Sequence, residues 1–262
     1  MRPLEEFPPA ARAAVTTVLS DIDDTMTSEG RLPASTLAAL EALQAAGLRV
    51  IPVTGRPAGW CDHIARMWPV DAVVGENGAL WFSYDRAGRR MRAGFAKTAA
   101  ERAADRLRLD RLRDRILAAV PGAGVASDQF CRIADLAIDF CEDVPRLPDA
   151  DIARIVALFE AEGATAKVSS IHVNGWFGAY DKLSMTRRCL MELWDEDIGA
   201  VNAACVFCGD SPNDQPMFRF FTHGIGVANV RAFPLEHPPA WVARGHGAAG
   251  FAEIAAALLA AR

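Results

Sequence analysis

The chain has 262 residues, 51% of them apolar, and a formal net charge of −5. That is enough apolar material for one large domain or for a core carrying an insert, and the acidic balance argues against general nucleic-acid binding, which goes with a basic surplus. No apolar run approaches membrane-spanning length, and the opening Met1-Arg2-Pro3-Leu4-Glu5-Glu6 lacks an apolar signal segment, so no membrane partner and a cytoplasmic location are expected. The first apolar run, Ala14 to Leu19, is rich in β-branched residues and predicts a buried strand. It leads directly into Asp21-Ile22-Asp23-Asp24-Thr25. A strand ending near Asp21 places both Asp21 and Asp23 at its carboxyl end, where open α/β sheets bind ligands. Two such carboxylates repel unless a proton or a cation separates them. A hard divalent cation such as Mg²⁺ fits oxygen ligands of this kind. One carboxylate can then attack an electrophile while the other moves a proton.

Downstream, Pro33 to Thr36 opens a helix that Gly47 stops. Leu48 to Val53 predicts a second strand, ending in Thr54-Gly55-Arg56-Pro57, and a helix follows from about Ala58 to Trp68. Asp71 to Val74 predicts a third strand, ending in Gly75-Glu76-Asn77-Gly78. Strand, helix, strand, helix, strand is the pattern of a parallel sheet covered by helices. The rhythm then changes. Leu80 to Tyr84 reads as a strand entering a turn at 85–90, and a charged helix runs from about Thr98 to Val120. Asp135 to Phe140 alternates as a half-exposed strand would, Pro148 to Glu162 is amphipathic, and Thr165–Ser169 and Ile171–Phe177 read as further strands. This middle region predicts a small α+β unit over 85–180. The parallel rhythm resumes with a helix over Lys182–Trp194, a strand over Ala203–Cys208 ending in Gly209-Asp210-Ser211-Pro212-Asn213-Asp214, short strands at Gly224–Ala228 and Ala240–Val242, and a helix over Phe251–Ala260. The expected architecture is α/β: a Rossmann-like parallel-sheet core over 1–84 and 181–262, with an inserted α+β cap over 85–180.

The six cysteines are scattered. Cys205-Val206-Phe207-Cys208 matches CxxC, but inside a strand residues three apart face opposite sides, so core cysteines are expected. The many arginines of 86–115 are interleaved with Glu101, Asp105, Asp110 and Asp114, which favours an ion-paired, solvated helix face over a nucleic-acid surface. His172, Asn174 and Trp176 alternate on one face of a strand leading to Lys182; substrate contact and sheet packing both remain open for them.

Three polar clusters fall at the ends of predicted parallel strands: Asp21/Asp23/Thr25, Thr54/Gly55/Arg56 and Gly209/Asp210/Asn213/Asp214. Lys182 lies at a helix start between the last two. Together they hold the metal ligands, nucleophile, polar donors and ammonium that phosphoryl transfer requires. In this order they resemble the four motifs of the haloacid dehalogenase superfamily of phosphohydrolases. An insert between the second and third motifs, with Gly75-Glu76-Asn77-Gly78-Ala79, is similar to the branch carrying a large αβ cap. That branch includes Cof-like sugar phosphatases, sucrose-phosphate phosphatases and mannosyl-phosphoglycerate phosphatases. Leu183 departs from the Gly usual after the motif Lys in Cof-like members, and Trp176 to Lys182 is closer to the sucrose-phosphatase side.

The resemblance implies a Mg²⁺-dependent phosphatase acting on a small phosphorylated metabolite, a sugar phosphate above all. In it Asp21 is the nucleophile, and Asp23 protonates the leaving oxygen and then activates water. Thr54 and Lys182 hold phosphoryl oxygens. Asp210 binds the metal with Asp21 and a backbone carbonyl at Asp23, and Asp214 supports the metal shell. Thr25 fixes its loop through a backbone hydrogen bond, and it is grouped with Gly55, Arg56, Asn77 and Asn213 as phosphate or substrate contacts. Cap hinges are expected near 83–85 and 178–181, in a monomer or homodimer. Competing readings are a phosphomutase or phosphotransferase on the same scaffold, a receiver-like signalling domain, and a catalytically silent phospho-ligand-binding protein.

Overall fold

The computed structural model describes residues 1–169 and 171–262. In chain order run β1 (Arg2–Pro3), α1 (Pro9–Ala14), β2 (Thr17–Ser20), α2 (Ala34–Ala45), β3 (Arg49–Pro52), α3 (Ala58–Met67), β4 (Val73–Gly75), β5 (Leu80–Asp85) and β6 (Arg90–Phe95). Then come α4 (Ala99–Ala119), β7 (Gly124–Val125), β8 (Leu136–Asp139), α5 (Asp149–Ala161), β9 (Thr165–Val168) and β10 (His172–Trp176). The chain closes with α6 (Lys182–Trp194), β11 (Cys205–Gly209), α7 (Gln215–Phe220), β12 (His223–Gly226), β13 (Trp241–Val242) and α8 (Gly247–Leu259). No helix among the described residues is long and apolar enough to cross a membrane.

Six strands form a wholly parallel sheet in the order β1-β13-β12-β11-β2-β3. Its inner strands β2, β11 and β12 are buried on both faces because helices cover both. One face contributes Val18, Val50, Val206 and Cys208 to a cluster with α2, α3 and α8; the other contributes Leu19, Ile51, Cys205 and Phe207 to a cluster with α6 and α7. Cys205 and Cys208 thus sit in opposite halves of the core as free thiols. From β2 the chain winds to β3 on one side, and after the insert it returns to β11 on the other. The carboxyl end of β2 is therefore the topological switch point, where a crevice opens.

The first strand starts later than the sequence suggests. Pro8 and Pro9 open α1 instead, proline being tolerated at a helix start. The third expected parallel strand also departs from expectation. β4 touches the parallel sheet only through the bridge Val53–Val74 and pairs antiparallel with β5. Only four residues separate β4 from β5, too few for a crossover. Residues 85–90, expected as a turn leaving the core, connect β5 to β6, which pairs with β5 from Leu80↔Phe95 to Asp85↔Arg90. The expected boundary between 84 and 85 cuts this hairpin. Met91, Phe95 and Ala96 pack on the core clusters, and Ala96 N–H donates to Ala79 carbonyl, so the chain leaves the core region near 97.

Residues 98–180 carry their own sheet, β7-β8-β10-β9, antiparallel throughout. Thr98 opens α4 with a reciprocal cap through Glu101. Leu109, Leu112 and Ile116 of α4 and Ile152, Ile155 and Phe159 of α5 pack on Ile138 and Val173 in a separate apolar cluster. β8, expected half-exposed, is buried on both faces because helices cover one side and the parallel-sheet region covers the other.

Candidate active site

The parallel register fixes which residues meet. β2 and β11 pair Ser20 with Cys208, so Asp21, one residue further, and Asp210, two residues further, emerge near each other at the switch point. Asp21 N–H donates to Cys208 carbonyl at 2.9 Å, tying the two strand ends. Lys182 is the first residue of α6, whose start is capped by Asp181: Ser184 N–H donates to Asp181 Oδ1 at 2.7 Å, and Asp181 N–H to Ser184 Oγ at 2.9 Å. Gly78, at φ +103°, packs against this start so closely that a Cβ would lie 2.0 Å from Asp181 carbonyl oxygen. Only glycine meets both demands.

Lys182 is buried and bridges two carboxylates, donating to Asp21 Oδ1 at 2.8 Å and Asp214 Oδ1 at 3.0 Å. Burial alone would lower its pKa, but the two carboxylates outweigh it and hold the ammonium above its ordinary value. Asp214 Oδ2 accepts from Asp210 N–H at 3.1 Å and Ser211 N–H at 3.5 Å. That approach requires Gly209, where a Cβ would come within 2.5 Å of the same oxygen.

Carboxylate oxygens of Asp21, Asp210 and Asp214 lie within 4.8 Å of one another, all buried. Burial pushes Asp21 up to about 7 against the pull of Lys182, with Asp214 and Asp23 adding to the rise. Burial and the neighbouring Asp214 and Asp21 push Asp210 to about 9. Asp21 and Asp210, each resisting ionisation beside the other, are carboxylates that a cation would stabilise. Their donors are all oxygen, which suits a hard divalent ion. Both Asp214 oxygens are already engaged, so Asp21 and Asp210 are the donors free to bind it and Asp214 supports them.

Asp23 projects to the opposite side of the crevice. Arg56 clamps it: Nε donates to both carboxylate oxygens at 3.1 Å and Nη2 to Oδ1 at 2.9 Å. The guanidinium lies over the Trp60 ring, 4.4 Å from its centroid. Arg56, expected among the phosphate contacts, therefore spends its donors on carboxylates. Thr25 also departs from expectation. Its hydroxyl donates to Asp210 Oδ1 at 3.4 Å, so it holds a carboxylate of the acidic cluster. Thr54 is fully buried, and its hydroxyl accepts from Arg56 N–H at 3.0 Å. Gly55, Asn77 and Asn213 do line the cavity, with Asp21, Asp23, Arg56 and Asp210.

The roof of that cavity comes from 98–180. Arg132, Lys167, His172 and Asn174 line it. His172 and Asn174 face it from β10, while Trp176 lines an adjoining cavity against Lys182 and Asn213. The enclosed space is about 30 Å³, room for about two waters. Two contacts hold the roof down. Arg132 donates to Gly55 carbonyl at 3.0 Å while paired with Asp128 and Asp135. Glu76 is fully buried and accepts four backbone N–H bonds: from Ala58 and Ile133 at 2.9 Å, Ala134 at 2.7 Å and Asp135 at 3.2 Å. Burial first, and then Asp135, push Glu76 to about 7 against those bonds. Glu76 and Asn77 both adopt positive φ, 44° and 54°, a backbone strain of about 1 kcal/mol or more each that these bonds offset. None of Arg132, Asp128, Asp135 or Glu142 belongs to a motif. The only sequence signal for them was charge inside otherwise apolar strand flanks.

Residues 18–109 match the profile of the haloacid dehalogenase-like hydrolases. Over nearly its whole length the chain shares its fold with solved structures of low sequence identity. One is a putative HAD/COF-like hydrolase from Plasmodium vivax, at 16% identity and TM-score 0.68, covering 95% of this chain and 97% of that one. Another, a protein from Thermoplasma acidophilum, has 18% identity and TM-score 0.67, with 93% and 98% covered. A third is the sucrose-phosphatase of Synechocystis solved with sucrose and phosphate, at 17% identity and TM-score 0.61, with 92% and 97% covered. No curated protein sequence matches the chain.

Proposed function

We propose that the protein is a Mg²⁺-dependent phosphatase that hydrolyses a small phosphorylated metabolite through an aspartyl-phosphate at Asp21. The observation that carries this reading is the buried Asp21–Lys182–Asp214 bridge beside Asp210 at the switch point, with Asp23 across the crevice. Asp21 and Asp210 would hold the cation. When bound, it supplies charge neutralisation for a phosphate dianion approaching an anionic nucleophile. Lys182 fixes the Asp21 carboxylate so that one oxygen faces the cavity, and its ammonium offsets charge on the phosphoryl oxygens as they arrive. Asp21 attacks phosphorus, and the leaving oxygen takes a proton from Asp23. Asp23 then removes a proton from the water that attacks the aspartyl-phosphate, returning Asp21.

A phosphorylated sugar is the favoured substrate class. The polar lining of Asn77, Arg132, His172 and Asn174 suits a hydroxyl-rich leaving group, and similar structures include the sucrose-phosphatase and a subclass IIB sugar phosphatase. A space of about 30 Å³ is too small for such a molecule, so residues 98–180 act as a cap that must lift for entry. Its closure excludes water during transfer. The hinges follow from the chain path, near 96–98 and 178–181. We place the enzyme in the cytoplasm, as a monomer or homodimer. The test is a screen of phosphorylated metabolites for phosphate release with Mg²⁺ and with EDTA. Release that is indifferent to EDTA, or no release from any sugar phosphate, contradicts the proposal.

A further inference from the structure

Arg56 is gripped on two edges. One edge, Nε and Nη2, holds Asp23. The other, Nη1 and Nη2, meets Glu142 Oε1 at 3.4 Å on both nitrogens, and Asp128 Oδ2 lies 3.7 Å from Nη1. Trp60 covers its face. Asp23 and Trp60 belong to the core; Glu142 and Asp128 belong to the cap. The cap thus reaches the residue that holds the proposed proton donor.

Glu142 is presented by a rigid device. Asp139 ends β8, fully buried, and its carboxylate accepts from three successive N–H groups: Cys141 at 2.9 Å, Glu142 at 2.7 Å and Asp143 at 2.8 Å. This fixes the turn that carries Glu142. On its other side Glu142 Oε2 lies 2.9 Å from Nε2 of the buried His172. Glu142 does not itself line the cavity, so an effect on chemistry must pass through Arg56.

Asp23 needs such help more than Asp21 does. Asp21 is fixed by Lys182 and almost fully buried, whereas the Asp23 side chain is 28% exposed and held by Arg56. An Arg side chain left with one partner retains much rotamer freedom; a second carboxylate on its far edge removes it.

We propose that Glu142 is a positioning residue for the proton donor: with the cap closed it clamps the outer edge of Arg56, and Arg56 then holds Asp23 where it can reach the leaving oxygen. Opening the cap withdraws Glu142 and Asp128 together, so proton transfer is set up only in the closed, water-excluded state. This inference rests on the phosphatase reading above.

The test compares wild type, Glu142→Ala and Glu142→Gln on phenyl phosphate and p-nitrophenyl phosphate with Mg²⁺. kcat/KM reports the step in which the leaving group departs. Nitrophenolate leaves with little help, whereas phenolate needs the proton more. Glu142→Ala should lower kcat/KM on phenyl phosphate by about tenfold and on p-nitrophenyl phosphate by less than about threefold, with KM for both nearly unchanged. Glu142→Gln, which keeps an acceptor oxygen toward Arg56, should restore most of the difference. Equal losses on both substrates, no loss on either, a change confined to KM, or a Gln variant as impaired as Ala would each overturn the proposal. A thermal melt within about 2 °C of wild type shows that folding is unaffected. Failure of the phosphatase reading looks different: wild type would release phosphate from neither substrate, or Asp21→Asn would still release it.

Discussion

The parallel-sheet region and residues 98–180, the proposed cap, build their polar sites in opposite ways. In the core, Asp21, Asp210 and Thr54 stand one or two residues beyond adjacent parallel strands, so the sheet register alone brings them together. In the cap, Arg132, Asp135 and Glu142 gain their roles by reaching across to Gly55, Glu76 and Arg56, 77, 59 and 86 residues away in sequence. On the proposed phosphatase reading, chemistry is thus written locally, and control of access is written in contacts between distant segments. Changes in the core should stop the reaction, and changes in the cap contacts should alter its selectivity, its proton transfer or its stability.

The largest effect is expected at Asp21, the proposed nucleophile. Asp21→Asn should lower turnover at least about 10³-fold on every substrate, because an amide does not attack phosphorus. Near-wild-type rates in that variant would remove the core from the chemistry. Next comes replacement of 98–180 by a short linker joining Lys97 to Asp181. The remaining core should still hydrolyse p-nitrophenyl phosphate, while ratios of kcat/KM among sugar phosphates should shrink severalfold or more. An unchanged rank order and unchanged ratios would mean that the core sets specificity.

Glu76 is the joint between the two regions. Glu76→Ala strands three successive cap N–H groups, Ile133 to Asp135, and one at the start of α3. The expected loss is about 3 kcal/mol or more, read as a lower denaturant midpoint, with looser discrimination among substrates. A loss below about 1 kcal/mol would show that the joint carries little.

Much of this division was legible in advance. Asp21, Asp23 and Asp210 could be placed because a β-branched run followed by clustered carboxylates marks a strand end, and Lys182 because Asp181 and Ser184 start a helix. The direction of a long side chain could not be read: Thr54-Gly55-Arg56 gives no hint that the guanidinium turns to Asp23 and the cap. β6 was hidden because Arg90 and Arg92 suggest a charged turn, although Met91, Ala93 and Phe95 alternate as a strand should. Without β6, the expected boundary between 84 and 85 fell inside the β5–β6 pairing. Glu76 lay in a recognised motif, yet its four backbone partners depend on a fold that sequence spacing does not encode.

A smaller effect separates protons from metal. Without metal, Asp21 and Asp210 bind protons up to about pH 7 and 9, well above the 3.8 of a free Asp. The folded state then binds more protons than the unfolded one, so metal-free stability should fall as pH rises from about 4 toward 9. Mg²⁺ bound through Asp21 and Asp210 would replace those protons. Its stabilisation should be near zero at pH 5 and reach about 1–3 kcal/mol at pH 8 with saturating metal. Asp210→Ala should erase the increase. A stabilisation independent of pH would mean that the ion binds elsewhere.

The most direct measurement traps the covalent intermediate. Enzyme turning over p-nitrophenyl phosphate with Mg²⁺ is quenched in acid, reduced with borohydride and mapped by mass spectrometry. Borohydride converts an aspartyl-phosphate to homoserine. The account predicts homoserine at position 21 and at no other aspartate, Asp23 and Asp210 included. Phosphate release with Asp21 unmodified, or with homoserine at a different aspartate, would contradict it.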